Sequence, residues 1–88
     1  MYEIIVEPPA ERFIKTLKKE EQKKLLDKIA ELSKNPRLGK KLVGKLSGFR
    51  SLKTGIYRAI YKIEEIKLIV LVLRAGYREN IYSRKIGK

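Results

Sequence analysis

Tyr2, Ile4 and Val6 share one face of residues 2–6, the two-residue period of a half-buried strand. Pro8 and Pro9 stop it, and proline suits the first turn of a helix, where its missing N–H is no loss. Ala10, Phe13, Ile14 and Leu17 then recur at the spacing of an amphipathic helix. Lys18 and Lys19 are expected in its last turn, where cations suit the helix dipole. Glu20 and Glu21 suit the start of a second helix for the opposite reason. Its stripe is Leu25, Ile29 and Leu32, widened by Leu26 and Ala30. Asn35-Pro36 ends it, because the residue before proline avoids helical geometry. The two helices are expected to form a hairpin.

Residues 36–48 read as a loop carrying Gly39, Gly44 and Gly48, with Leu38, Leu42, Val43 and Leu46 expected to pin it to the core. Strands follow at 49–53, 56–63 and 66–73, joined by a turn at Thr54-Gly55 and a tight connection at Glu64-Glu65. The 66–73 run is apolar on both faces apart from Lys67, as befits a central strand. Ala75-Gly76 is expected to break it, and a last short strand is expected at 80–83. This order predicts an α+β fold: an N-terminal strand, a helical hairpin, then a mostly antiparallel sheet with the helices packed on one face. The 88 residues are expected to make one domain, 1–88, without repeat or linker.

Composition narrows the chemistry. The chain has no cysteine, which removes disulfides and thiolate catalysis, and no histidine, which removes the usual general base near neutral pH. Zinc sites built on either residue are impossible. Catalysis would have to rest on Lys, Arg, Tyr, carboxylates or hydroxyls. The residues after Met1 lack the basic-then-apolar layout of a signal peptide, and no apolar run approaches the roughly 20 residues of a membrane span. A cytoplasmic location without membrane contact is the expectation.

Net charge is +12, which points to polyanionic partners rather than to a fold. Its placement is uneven. No acidic residue lies between Glu31 and Glu64, a stretch that holds Lys41, Lys45, Arg50, Lys53 and Arg58 among other cations. Such a block attracts phosphate and gives salt-dependent binding. It would equally serve as a solvated surface. Arg58 falls mid-strand, and Arg74 and Arg78 flank Ala75-Gly76-Tyr77 with Tyr82 close behind. A sheet face collecting Lys53, Arg58, Arg78 and Tyr82 could hold a phosphodiester and stack a base. The same cations would also suit ion pairs with Glu3, Glu7 or Glu79.

The ordered set of fragments resembles the RelE/ParE superfamily of toxins from toxin–antitoxin systems. The fragments are Asn35-Pro36, Lys41-Leu42-Val43-Gly44-Lys45-Leu46, Phe49-Arg50-Ser51-Leu52-Lys53, Gly55-Ile56-Tyr57-Arg58-Ala59-Ile60-Tyr61 and Gly76-Tyr77-Arg78-Glu79-Asn80-Ile81-Tyr82. The resemblance spans nearly the whole chain. It implies a RelE-like endoribonuclease that cuts translated messenger RNA in the ribosomal A site, restrained by a RelB-like antitoxin. It also leaves open a ParE-like toxin of DNA gyrase, and the residues alone would suit a non-catalytic RNA- or ribosome-binding module.

The resemblance assigns catalysis to Lys53, Arg58, Arg78 and Tyr82, with Arg50, Ser51, Lys45, Lys41, Arg74 and Tyr77 as RNA contacts. Lys53 would be the base, with Arg50, Arg58 and Arg78 crowding it towards its neutral form. No cofactor or metal is expected. Ser51 stands where relatives often carry a basic residue, with Arg50 as a possible substitute. Tyr77 stands where many carry Lys or His, and 83–88 is too short for the C-terminal helix of some members.

Overall fold

The computed structural model describes residues 1–79. Strand β1 (Glu3–Val6) is followed by helices α1 (Pro8–Lys15) and α2 (Lys19–Ala30), then by strands β2 (Lys40–Lys41), β3 (Arg50–Thr54), β4 (Tyr57–Glu64) and β5 (Ile69–Tyr77). The strands form one sheet in the order β1-β5-β4-β3-β2. β1 runs parallel to β5, and every other pairing is antiparallel. The α+β architecture is the one the sequence pattern predicts.

The helices close one face of the sheet. Ala10 and Ile14 of α1, Leu25 and Ile29 of α2, and Leu32 just beyond it pack on Leu52, Tyr57, Ala59, Tyr61, Val70 and Val72. Tyr2, Ile4 and Val6 join this core from one side of β1. Leu26 is 41% exposed and Ala30 is also exposed, so the α2 stripe is narrower than expected. A helix laid on a single sheet buries one line of side chains.

The first helix ends earlier than its apolar stripe suggests. Thr16 Oγ1 donates to Phe13 O at 2.6 Å, and Gln22 Nε2 donates to Leu17 O at 2.9 Å. These bonds close the hairpin turn. Lys18 becomes the N-cap of α2 and Lys19 its first residue, instead of the last turn of α1.

Residues 36–48 are more ordered than a plain loop. They contain 3-10 turns at Pro36–Leu38 and Gly44–Leu46 with β2 between them. Val43 is 84% exposed, Leu38 is 37% exposed and neither packs against the core cluster, so neither pins the segment to the core. Pro36 and Gly39 do, through Tyr61. The Tyr61 hydroxyl donates to Pro36 O at 2.6 Å and accepts from Gly39 N at 2.9 Å.

The β3–β4 turn is shifted by one residue from the expected position. Thr54 pairs with Tyr57, leaving Gly55 and Ile56 as the turn, with Gly55 at φ +60. Glu65 to Leu68 form the next turn, so Ile66 is at its tip and almost fully exposed. β5 is interior, between β1 and β4, and it does not break at Ala75-Gly76. It runs to Tyr77 because β4 continues to pair with it past the glycine, Ala59 opposite Ala75, Arg58 opposite Gly76 and Tyr57 opposite Tyr77. The strand expected at 80–83 lies outside the described residues.

One irregularity sets which side chains face which way. Tyr61 pairs with Val72 while the adjacent Ile60 pairs with Arg74, so Leu73 is an extra residue in β5. This bulge re-phases the alternation. Val72 faces the helices, yet Arg74, only two residues on, faces the open side with Ile60.

Candidate functional site

The open side of the sheet is read from its ladder. Lys53 lies directly across from Arg58, and Arg58 across from Gly76. One step along, Ser51 lies across from Ile60, and Ile60 from Arg74, with Lys40 beyond Ser51 on the edge strand. The segment 42–46 lies beside this face. Together they form a groove of about 320 Å³ lined by Lys40, Leu42, Val43, Leu46, Ser51, Lys53 and Arg58.

The groove is apolar on one wall and cationic elsewhere. No carboxylate lines it among the described residues. Lys53 is exposed and Arg58 half-buried, so the Arg58 guanidinium is fixed more firmly than the Lys53 ammonium. Arg and Lys side by side suit a phosphodiester, the first as a planar fork and the second as a mobile point charge. Ser51 is 6% exposed, and its Oγ meets no hydrogen-bond partner.

Arg78 sits past the end of β5, beside the β3–β4 turn. Its backbone N–H donates to Ile56 O at 2.8 Å and its Nη1 to Gly55 O at 3.2 Å. Arg74 is exposed on the same side as Ser51 and Ile60. The structure therefore places Lys53, Arg58 and Ser51 in one groove and Arg74 on the same sheet face, while Arg78 lines a separate hollow with Ile56, Tyr77 and Glu79. Lys45 is exposed on the 3-10 turn between two wall residues. Tyr82 lies outside the described residues.

Three of the named residues face elsewhere. Arg50 pairs with Tyr61 and Lys41 with Arg50, on the helix side of the sheet. Arg50 Nη1 donates to Gly39 O at 2.7 Å. Strand alternation thus prevents Arg50 from replacing a cation at Ser51, or from crowding Lys53. Tyr77 also faces the helices, edge-on to Phe13 at 5.3 Å and tilted against Tyr57 at 5.6 Å.

Arg50 and Lys41 instead line a second hollow with Arg37 and Glu65. The Glu65 carboxylate accepts from the Tyr2 hydroxyl at 2.7 Å and pairs with Arg37. The Tyr2 hydrogen bond, helped by Arg37, holds the Glu65 carboxyl below the ordinary range. Burial pushes the Tyr61 phenol up, against the Gly39 N–H and the Arg50 charge. It therefore remains a neutral donor to Pro36 O.

Sequence reasoning missed Lys40 and the role of the apolar wall. β2 is two residues long, too short to show an alternation, and Leu42, Val43 and Leu46 look like core residues until the sheet face they border is known. Among the described residues no group of three or more metal-ligating side chains is placed to hold an ion.

A helical hairpin on one sheet face and a cationic groove on the other are the features of a RelE-like toxin fold. The family model described as the ParE-like toxin of type II bacterial toxin-antitoxin systems matches residues 4–85, and the chain belongs to that family, within the RelE/ParE superfamily. It is similar to Toxin RelG of Mycobacterium tuberculosis, 39% identical over 57 residues, which are 64% of this chain and 66% of that toxin. The toxin–antitoxin complex RelBE2 of Mycobacterium tuberculosis superposes with a TM-score of 0.80 at 29% identity, over 88% of this chain and 98% of the matched one. The isolated RelE toxin of E. coli shares the fold, with a TM-score of 0.76 at 24% identity over 98% of this chain and 96% of that one.

Proposed function

We propose that this chain is the toxin of a type II pair and acts as a ribosome-dependent, metal-independent endoribonuclease on translated messenger RNA. The observation that carries the reading is the Lys53–Arg58 pair, directly opposed on the open sheet face in a groove free of carboxylates among the described residues. A carboxylate there would repel a phosphodiester. Two cations on adjacent strands would bind it and stabilise the charge that develops on its oxygens during cleavage.

The reaction is attack of a ribose 2′-hydroxyl on the adjacent phosphorus. The 2′-oxygen–phosphorus bond forms, the bond from phosphorus to the 5′-oxygen breaks, and the products are a 2′,3′-cyclic phosphate and a 5′-hydroxyl. The neutral form of Lys53 takes the 2′-hydroxyl proton, the ammonium so formed joins Arg58 at the phosphoryl oxygens, and the leaving 5′-oxygen takes a proton from water. Arg58 and Arg78 hold the phosphoryl oxygens. Tyr82 is assigned the stacking and proton-relay role by resemblance alone. No histidine is available, so alignment of the 2′-oxygen with the leaving oxygen must supply much of the rate. Dependence on the ribosome follows, since the ribosome holds the message in place.

RelBE2 is a toxin–antitoxin complex, and by analogy this chain pairs with a RelB-like antitoxin in the cytoplasm. The test is to add the purified chain to programmed ribosomes and map breaks in the message by primer extension. Breaks within the A-site codon are expected. The ParE-like family description favours one other reading, a toxin of DNA gyrase. Inhibition of gyrase supercoiling with the message left whole would establish that reading and overturn the nuclease.

A further inference from the structure

Ser51 presents an unresolved chemical demand. Its hydroxyl is buried in the groove lining, 6% exposed, with no hydrogen-bond partner. A buried polar group without a partner destabilises the free protein, and a ligand that supplies one removes the penalty. The groove that Ser51 lines has two kinds of neighbour. Lys53, Lys40 and Arg58 are its cationic lining. Leu42, Val43 and Leu46 are its apolar lining, with Val43 84% exposed. About 320 Å³ is near the lower end of small-ligand pockets, roughly 300–1,000 Å³.

We propose that the groove is a base-reading pocket for one nucleotide, in which the phosphate lies on Lys53 and Arg58, the base lies on the Leu42–Val43–Leu46 wall, and the Ser51 hydroxyl bonds the base edge. The inference deepens the nuclease reading and rests on it for RNA as the ligand. Each part of the pocket matches a part of a nucleotide. Apolar side chains take the flat face of any base. A hydroxyl both donates and accepts, so its contribution depends on which edge it meets. Cations engaged on the phosphate read no base. Ser51 is therefore the residue in this groove able to tell bases apart, and a basic side chain at the same position would fill the pocket and recruit phosphate instead.

The probe is a set of four homopolymeric trinucleotides, 2′-O-methylated so that the attacking hydroxyl is blocked, titrated onto the full chain. The wild type is expected to bind all four with unequal affinity. Ser51→Ala is expected to weaken the preferred base about fivefold, the effect of one lost hydrogen bond, and to leave the least preferred unchanged. It should also raise the melting temperature, because an unsatisfied hydroxyl is gone. Val43→Asp, on an exposed position, should weaken all four.

No measurable binding, binding unaffected by Ser51→Ala, or an equal loss for every base would each overturn the inference. Message cleavage is scored separately on ribosomes. If the wild type cuts and Ser51→Ala cuts with unchanged codon preference, the base-reading pocket falls and the nuclease stands. If the wild type does not cut, the nuclease reading falls, while base-dependent loss in Ser51→Ala would still support the pocket.

Discussion

Tyr61 holds the architecture of the groove from behind. Its side chain faces the helices, yet its hydroxyl fixes Pro36 and Gly39 at the start of the segment that becomes the groove wall. Tyr61→Phe keeps the ring and strands the Gly39 N–H and the Pro36 carbonyl in a buried setting. The expected cost is about 2–4 kcal/mol, read from the denaturant midpoint. Gly39→Ala tests the same contact from the other side. A Cβ there would lie 2.7 Å from the Tyr61 hydroxyl and 2.8 Å from Ser51 O. About 1–3 kcal/mol of overpacking strain is expected in the same measurement. The groove cations behave differently. Lys53 is exposed, and Arg58 borders solvent. Lys53→Ala and Arg58→Ala should therefore keep the melting temperature within a few degrees while cleavage of translated message falls roughly 100-fold or more. Wild-type cleavage in both variants would remove them from the active site.

Between elements, the Glu65 carboxylate ties three pieces of chain together. Tyr2 precedes β1, Arg37 belongs to the 3-10 turn Pro36–Leu38, and Glu65 begins the β4–β5 turn. A carboxyl held low in the folded state stabilises the fold above its unfolded value, near 4.3, and that contribution is lost as pH falls through the lowered folded value. Glu65→Gln should thus be less stable than the wild type at neutral pH, with the gap closing below about pH 4.3. Parallel unfolding curves from pH 7 to pH 3 check this, and a gap independent of pH would refute it. The elements themselves were largely readable. Helices and strands appear where the periods of 3.6 and 2 place them, because each has one face to bury. Misplaced boundaries have local causes. Thr16 and Gln22 close the hairpin by side-chain hydrogen bonds that an apolar pattern does not encode. Gly76 remains in β5 because Arg58 opposite it completes the ladder.

Charge acts on the whole molecule. At +12, with a groove bare of acid among the described residues, the chain should associate rapidly with any acidic partner. For a RelB-like antitoxin the on-rate should fall steeply as salt rises, while the off-rate changes little, because buried apolar contacts hold the docked complex. Stopped-flow association of the co-purified pair across ionic strength measures both. An on-rate indifferent to salt would show that the cationic surface does not steer the encounter.

The sequence by itself determined the class of fold, the sign and block of charge, the absence of histidine and cysteine chemistry, and the ordered fragments that mark the superfamily. These depend on composition and on periods along one chain. Only the tertiary structure decided which cations share a face. Simple alternation from Val70 and Val72 carries Arg74 to the helix side. The extra residue at Leu73 sends it to the open side and lets Ala75 and Tyr77 return to the helices. Strand register likewise joined Lys53 to Arg58 and separated both from Arg50, which is one residue from Ser51 in the chain and on the opposite surface of the sheet. Pairing between strands fixes these relations, and a pairing depends on two distant segments at once.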